Sequence, residues 1–320
     1  MKILMTEPLQ PIGQDVFTNH ADVEVVTPSA LTEDALIEAA RDVDGIVVRS
    51  AKLTPSVLAA AQKLKAVSRH GVGYDNVAVE VLTNRRIPLM LAVNANSVSV
   101  AEHTMFYMLA LAKRGRQYEE AARNSDFGFR SSPIAIDIAD KVVTIIGFGR
   151  IGTRLAKRAL AFDMRVFVYD PFVSDDFIRE SGCTPVQDYR SVLPETDFLT
   201  VHCPLTEETR YMVGVEELAL MRPDSFVINC ARGGIVDEAA LSAALDADQI
   251  AGAGVDVYEV EPPPGDHPFL SNNKMLLSPH SAGVSIEAAR RMSFEAATNL
   301  VNALEGKVDP ATLANPEIVE

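Results

Sequence analysis

Cysteine is scarce in this 320-residue chain, where Cys183, Cys203 and Cys230 form an odd and widely spaced set. None of their spacings suits a metal, which argues against a disulfide scaffold or a structural zinc site and fits a reducing compartment. Long apolar runs are also missing. The most apolar stretch, residues 105–112, is far below the roughly 18 residues that cross a bilayer, so no membrane partner is expected. Residues 1–6 are too short for the apolar region of a secretory signal, and a cytoplasmic location is the expectation. Positive charge is in deficit, with 29 Lys and Arg against 44 Asp and Glu, a net charge of −15 and a pI near 4.9. Recognition of a nucleic-acid backbone needs clustered positive charge, so nucleic acid is not an expected partner. The same field repels an anionic substrate at long range, and any anion site must be built locally from basic residues beside loops. Internal repeats and low-complexity tracts are absent as well.

What is present is enough apolar material, 48% of the chain, for a large core and about two domains. Short apolar runs at 2–5, 23–26, 45–48, 65–68 and 87–91 read as strands, separated by helical patterns at 32–41 and 55–64. Strands this apolar with connections this short predict a parallel sheet. A longer helix is expected over 97–113. Residues 115–138 are polar and weakly periodic, a boundary or an arm that packs on another subunit. A second series follows, with strands at 142–146, 165–169, 198–202, 225–229, 253–255 and 275–278 and helices at 151–162 and 238–247. A last helix over 285–304 precedes a proline-bearing tail. The fold class is α/β, with two Rossmann-like doubly wound domains.

Gly147-Phe148-Gly149-Arg150-Ile151-Gly152 supplies G-x-G-x-x-G between a strand and a helix. Gly147 permits the tight turn, Gly149 lets the backbone approach a pyrophosphate, and Gly152 lets the helix sit close to the sheet. Asp170, at the end of the next strand, can accept hydrogen bonds from ribose hydroxyls. It would repel a 2′-phosphate, and residues 171–176 hold no Arg or Lys to neutralise it, so NAD is favoured over NADP. A glycine turn used for packing and a surface Asp at a strand end are the plainer readings.

Arg232, Glu261 and His280 all lie beyond strand C-termini, the edge where open α/β sheets bind ligands. An imidazolium can give a proton to a developing alkoxide near neutral pH, and a carboxylate beside it favours the charged ring. Arginine offers a permanently charged planar fork for a substrate carboxylate. Each also admits a plainer role: a turn histidine, an exposed loop arginine and a solvated loop acid.

Together with His202-Cys203-Pro204-Leu205-Thr206, Asn229-Cys230-Ala231-Arg232-Gly233-Gly234 and Ser278-Pro279-His280, these motifs make the chain resemble the D-isomer-specific 2-hydroxyacid dehydrogenases across nearly its whole length. The resemblance implies an NAD-dependent enzyme moving a hydride to or from C2 of a small D-2-hydroxy acid, at a cleft between the domains. It implies Arg232 as the substrate-binding arginine, Glu261 as the partner of histidine, and His280 as proton donor and acceptor. Asp256 would contact the nicotinamide carboxamide. His202, Cys203, Pro204 and Thr209 would line the cofactor groove, joined by main-chain contacts from Cys230, Ala231 and Ala282. Backbone amides at Val72 and Gly73, within Arg69-His70-Gly71-Val72-Gly73, would meet the substrate carboxylate. No metal is implied.

The resemblance sets the domains at 1–98 plus 290–320 on the substrate side and 99–289 for NAD, with no third C-terminal domain. It also implies a homodimer. Two departures stand out: Val93-Asn94-Ala95-Asn96 replaces a common Pro-Gly or Asn-Gly pattern, and the family's frequent tryptophan before the dinucleotide fold is absent. Related corepressors work through protein contacts, but the complete Arg232, Glu261 and His280 set favours catalysis. Formate or phosphite oxidation is the other alternative, and Glu261 argues against a formate-type site. For the substrate's far end, Arg49, Ser50, Arg69 and His70 are the candidate contacts, with 3-phosphoglycerate or glycerate and their keto partners leading.

Overall fold

Apolar runs rich in β-branched residues become the strands of two separate sheets in a computed structural model that describes residues 1–319. By internal packing the chain divides into Met1–Asn96 with the segment from Val284 onward, and Ser97–Gly283.

In the first unit β1 (Lys2–Met5), β2 (Glu24–Val26), β3 (Gly45–Val48), β4 (Ala66–Arg69) and β5 (Leu89–Leu91) pair in parallel, in the order β2-β1-β3-β4-β5. Every residue of β3 is buried, as expected of a strand covered on both faces. One cover is the helix Ile286–Leu304, whose Ala296, Ala297, Leu300 and Val301 pack with Ile3, Val47 and Met90. The helices Glu33–Ala40 and Pro55–Ala60 bring Leu36 and Leu58 into a second cluster with Leu4, Ile46 and Val67. The helix Pro11–Thr18 lies so close to Ile286–Leu304 that a Cβ on Gly13 would fall 2.5 Å from the Ser293 carbonyl oxygen. Glycine is what permits that approach.

The second unit is a seven-stranded parallel sheet of β6 (Val142–Ile146), β7 (Arg165–Tyr169), β8 (Thr184–Pro185), β9 (Phe198–Val201), β10 (Phe226–Asn229), β11 (Gly252–Val255) and β12 (Met275–Leu277). Their order is β12-β11-β10-β9-β6-β7-β8. The helices Ser97–Ala112 and Gly152–Ala161 contribute Tyr107, Met108, Leu155 and Ala159 to one core cluster. Glu238–Asp246 contributes Leu241 and Leu245 to another.

Both sheets are doubly wound, in agreement with the sequence. Strand limits shift by a residue or two at most, the usual scatter of element ends. The edge strand β8 was not foreseen: it is two residues long and one is proline, which suits only an edge. Residues 115–138 hold a helix, Gly115–Arg123, with no buried residue, and a 3-10 turn at Phe127–Ser131. The crossings fall after Asn96 and after Gly283, against the expected 98 and 290. The second difference has a cause in packing. Ala288 and Met292, early in the last helix, are buried against Ala92 and Ala95, so that whole helix belongs with the first unit.

Candidate active site

Because all strands of the second sheet are parallel, the loops after their C-terminal ends share one edge in sheet order. Asp170 follows β7, the glycine loop β6, His202 β9, Arg232 β10, Asp256 and Glu261 β11, and His280 β12. The chain runs outward from β6 on one side and from β9 on the other, so the β6/β9 boundary is the switch point where such sheets bind nucleotides.

The glycine loop has the form a pyrophosphate needs. Gly147 has φ +95°, and a Cβ there would lie 2.7 Å from the Cys203 nitrogen; a Cβ on Gly152 would fall 2.1 Å from the Gly147 carbonyl oxygen. Gly149 differs, because a Cβ there would meet nothing within 4 Å, leaving its backbone open to an approaching group at the start of the helix Gly152–Ala161. The Phe148 side chain is buried and Ile151 packs against the same core cluster, so their share in cofactor binding is confined to the main chain. Arg150 is exposed. Asp170 accepts from the Phe148 amide at 2.7 Å and the Phe172 amide at 2.9 Å, which holds the acid beside the glycine turn with acceptor capacity to spare.

His202 contributes a further observation. Its Nε2 meets Thr200 Oγ1 at 2.9 Å, while Nδ1 is buried without a protein partner among the described residues. Burial pushes its pKa down to about 3, so the ring is neutral. An open Gly149, an accepting Asp170 and an orphaned imidazole nitrogen beside the glycine loop together fit a dinucleotide. Thr209 instead closes its own turn, donating to the Pro204 carbonyl at 2.7 Å and accepting from the Thr206 amide. Burial pushes the Cys203 thiol up to about 11 and raises that of Cys230 further. Both main-chain groups of Ala231 already have partners, its amide in Asn229 Oδ1 and its carbonyl in Arg232 Nη1.

The catalytic candidates gather over β10, β11 and β12. His280 Nδ1 lies 2.7 Å from Glu261 Oε2, and Glu261 Oε1 accepts from the Tyr258 amide at 3.0 Å. Both side chains remain partly open to solvent. The Arg232 loop meets this pair's loop where Gly233 presses on the Tyr258 backbone, a contact that would leave a Cβ at 2.1 Å. The Asn229 side chain donates to the Arg232 carbonyl at 2.8 Å and fixes the loop's exit from β10.

Asp256, expected to face the nicotinamide, also has partners within the protein. It is 1% exposed, and its carboxylate accepts from Ser278 Oγ, the Ser281 amide (2.7 Å) and the Ala282 amide (2.9 Å). Asp256 thus braces the His280 loop, and the Ala282 amide is spent on it. Behind Ser278 stand Tyr107 and His103, neither of which the sequence reading picked out. Their signal was the i, i+4 pairing of two polar rings on the most apolar helix.

In the first unit the strand order reverses around β1, and Glu7 after β1 meets the loop after β3 there. The Glu7 carboxylate takes the Arg49, Ser50 and Ala51 amides and the Ser50 hydroxyl. Burial opposes its charge, but these bonds and one from Thr6 hold Glu7 below the ordinary carboxylate range. Both donors of Ser50, an expected substrate contact, are engaged by Glu7. Arg49 is exposed and donates Nη1 to the Pro8 carbonyl at 2.9 Å.

His70 is another expected substrate contact. It is 6% exposed, its Nε2 lies 3.0 Å from Ser293 Oγ, and burial with the positive Arg49 and Arg69 pushes its pKa down to about 4. It is a neutral packing residue. Arg69 donates to the His70 carbonyl. Val72 and Gly73 are half-buried, on a loop that turns at Gly71 with φ +129°.

Comparison with known proteins agrees with this geometry. The NAD binding domain of the D-isomer specific 2-hydroxyacid dehydrogenases matches residues 105–282. D-3-phosphoglycerate dehydrogenase of Methanocaldococcus jannaschii is 37% identical over 99% of this chain and 60% of its own length. Glyoxylate reductase of Korarchaeum cryptofilum is 33% identical over 100% of this chain and 97% of its own. The structure of D-lactate dehydrogenase from Aquifex aeolicus, complexed with NAD and lactic acid, superposes with a TM-score of 0.84 at 25% identity, covering 98% of this chain and 99% of that one. This chain belongs to the D-isomer specific 2-hydroxyacid dehydrogenase family, and residues 105–282 are that family's NAD binding domain. It spans 54–60% of the length of the phosphoglycerate dehydrogenases of Methanocaldococcus jannaschii, Archaeoglobus fulgidus and Synechocystis. Among the described residues no helix is long and apolar enough to cross a membrane, and no cluster of His, Cys, Asp and Glu could hold a metal.

His70 and His202, whose protonation is opposed by desolvation, generate a pH dependence. An unfolded histidine takes up its proton near 6.5, whereas folded His70 and His202 resist until about 4 and 3. The unfolded state therefore binds more protons in that window, and stability falls as pH drops from 6.5 towards 4, by about 1.4 kcal/mol per pH unit for each fully suppressed histidine. Urea denaturation at pH 7.5 and pH 5 should show the loss, and His70→Gln should shrink it. A variant with the same pH slope as the native protein would contradict the assignment.

Proposed function

We propose that this chain is an NAD-dependent oxidoreductase acting at C2 of a small D-2-hydroxy acid, with 3-phosphoglycerate and glycerate, and their keto partners, as leading substrates. The observation that carries the reading is the 2.7 Å contact between His280 Nδ1 and Glu261 in the family's NAD binding domain. Bound nicotinamide supplies or accepts the hydride. In reduction, as hydride reaches the keto carbon, the carbonyl electron pair moves to oxygen and His280 Nε2 gives that oxygen a proton. Glu261 holds Nδ1–H, which fixes the tautomer and the direction of the ring. Arg232 pairs with the substrate carboxylate through its planar fork. Oxidation reverses these roles, with neutral His280 accepting the proton.

Following NADH oxidation with glyoxylate, pyruvate, hydroxypyruvate and phosphohydroxypyruvate tests the reading. Turnover is expected, and His280→Gln should lower kcat by roughly 10²- to 10⁴-fold while NADH still binds. A folded protein that binds NADH and reduces no 2-keto acid would sink the assignment. In the same assay Arg49→Ala should lose selectively on phosphohydroxypyruvate if Arg49 meets a phosphate; an equal loss on every substrate removes that role.

Preference for NAD over NADP is assigned to Asp170, whose carboxylate is fixed at the end of β7 by two amides. Asp170→Asn should improve the relative kcat/KM for NADPH by about tenfold or more, the equivalent of about 1.4 kcal/mol. Equal efficiency with both cofactors in the native enzyme would refute this.

A homodimer is supported by an apolar groove on the second unit lined by Met105, Phe106, Leu109 and Phe162, with Phe106 56% exposed. Exposed apolar patches mark interaction surfaces, and two-fold pairing is the commonest closed form. Light scattering should give twice 34.6 kDa for the native chain and the single mass for Phe106→Glu. A native monomer at every concentration would overturn the proposal.

A further inference from the structure

His280 adopts φ +51°, a left-handed backbone conformation uncommon for a side-chain-bearing residue. The reason for its persistence lies in Asp256. The His280 amide donates to the Asp256 carbonyl at 2.7 Å, and the next two amides, of Ser281 and Ala282, donate to the two carboxylate oxygens. Three consecutive N–H groups are gathered by one residue, and the turn they form aims the imidazole at Glu261.

The carboxylate itself must be held in rotation for this to work. An ionised carboxylate only accepts, so the single proton of Ser278 goes to Asp256 Oδ1. Ser278 Oγ must then accept from its other two neighbours, Tyr107 OH at 2.6 Å and His103 Nε2 at 3.1 Å. Tyr107 has a second acceptor, the Val255 carbonyl, at the longer distance of 3.1 Å. The tyrosine ring reaches this point only because β11 carries Gly254, where a Cβ would lie 2.7 Å from the ring. Tyr107 is 1% exposed and His103 is half-buried, with ring centroids 4.5 Å apart, so the hydroxyl's direction is fixed by packing as well as by hydrogen bonds.

We propose that Ser278, oriented by Tyr107 and His103, is a positioning residue for His280, acting through Asp256 on the left-handed turn that aims the imidazole. The proposal rests on the reading of His280 as the proton donor, and its test separates the two. In Ser278→Ala the carboxylate loses its orienting donor. kcat for the preferred keto acid should fall roughly 10- to 100-fold, the scale of a sub-ångström to ångström misplacement, while the Kd for NADH changes by less than about twofold. Ser278→Thr keeps the hydroxyl and should restore most of kcat. Tyr107→Phe keeps the ring against Gly254 and removes only the hydroxyl. It should give a smaller fall in the same direction, and it carries the test if Ser278→Ala does not fold.

A second readout needs no turnover. In ¹⁵N-histidine NMR of the NADH-bound protein, with His280 assigned through His280→Gln, both variants should displace the His280 ring signals. If the native enzyme proves inactive the proposed function fails, yet displaced ring signals still support the positioning role. Folded variants with unmoved ring signals overturn it, whether or not kcat changes, because a purely structural hydroxyl would lower stability without altering the His280 environment.

Discussion

Buried or half-buried carboxylates that collect backbone amides organise the His280 loop, the glycine loop and the loop after β3. Asp256 takes the Ser281 and Ala282 amides, Asp170 those of Phe148 and Phe172, and Glu7 those of Arg49, Ser50 and Ala51. Asp256 and Asp170 follow their strands directly and Glu7 follows β1 after Thr6, and the amides they collect belong to loops that could not otherwise satisfy those donors within regular structure. A carboxylate removed from water costs several kcal/mol unless its oxygens are bonded, and loop amides removed from water incur a comparable penalty. Bringing the two together cancels both. In a chain with a net charge of −15 these acids are internal acceptors rather than part of a solvated shell.

The same arrangement decides which groups of an acidic protein are left exposed at these loops. With the amides of loop 49–51 already committed to Glu7, the exposed cation beside them is Arg49. Around the glycine loop the opposite choice is made. Asp170 takes only the Phe148 amide from that loop, and Gly149 is left with clear space around its Cα at the positive end of a ten-residue helix. Internal acids thus close the loop after β3 and the His280 loop, while the glycine loop is left open at Gly149.

Much of this was legible in the sequence, for identifiable reasons. Strands buried on both faces, such as β3 and β6, are uninterrupted apolar runs, and the glycine motif carries its own geometry in its spacing. Arg232, Glu261 and His280 could be placed at strand ends because parallel topology puts all such ends on one edge. Unforeseen partners belong to residues that are remote from them in the chain. His70 is buried against Ser293, 223 positions away, and Ser50 is spent on Glu7, 43 positions away. No local pattern encodes those pairings. Asp256 was singled out, but its bonds to the Ser281 and Ala282 amides, 25 and 26 residues further on, were not foreseen. Tyr107 and His103 looked like interior helix residues because that is also what they are.

The energetics of the His280 turn show why so many groups surround one imidazole. Glycine would adopt φ +51° freely but has no ring, and a side-chain-bearing residue there costs about 1–2 kcal/mol. A hydrogen bond contributes about 1 kcal/mol net, more when the acceptor is charged. The bonds from the 280, 281 and 282 amides to Asp256 therefore outweigh the strain, but only while the carboxylate is held so that both oxygens face them. Ser278 alone could rotate away, whereas a serine that must accept from Tyr107 and His103 has one direction left for its proton. The strain at His280 is in this way balanced by a hydrogen-bonded network that reaches back to the middle of the helix Ser97–Ala112.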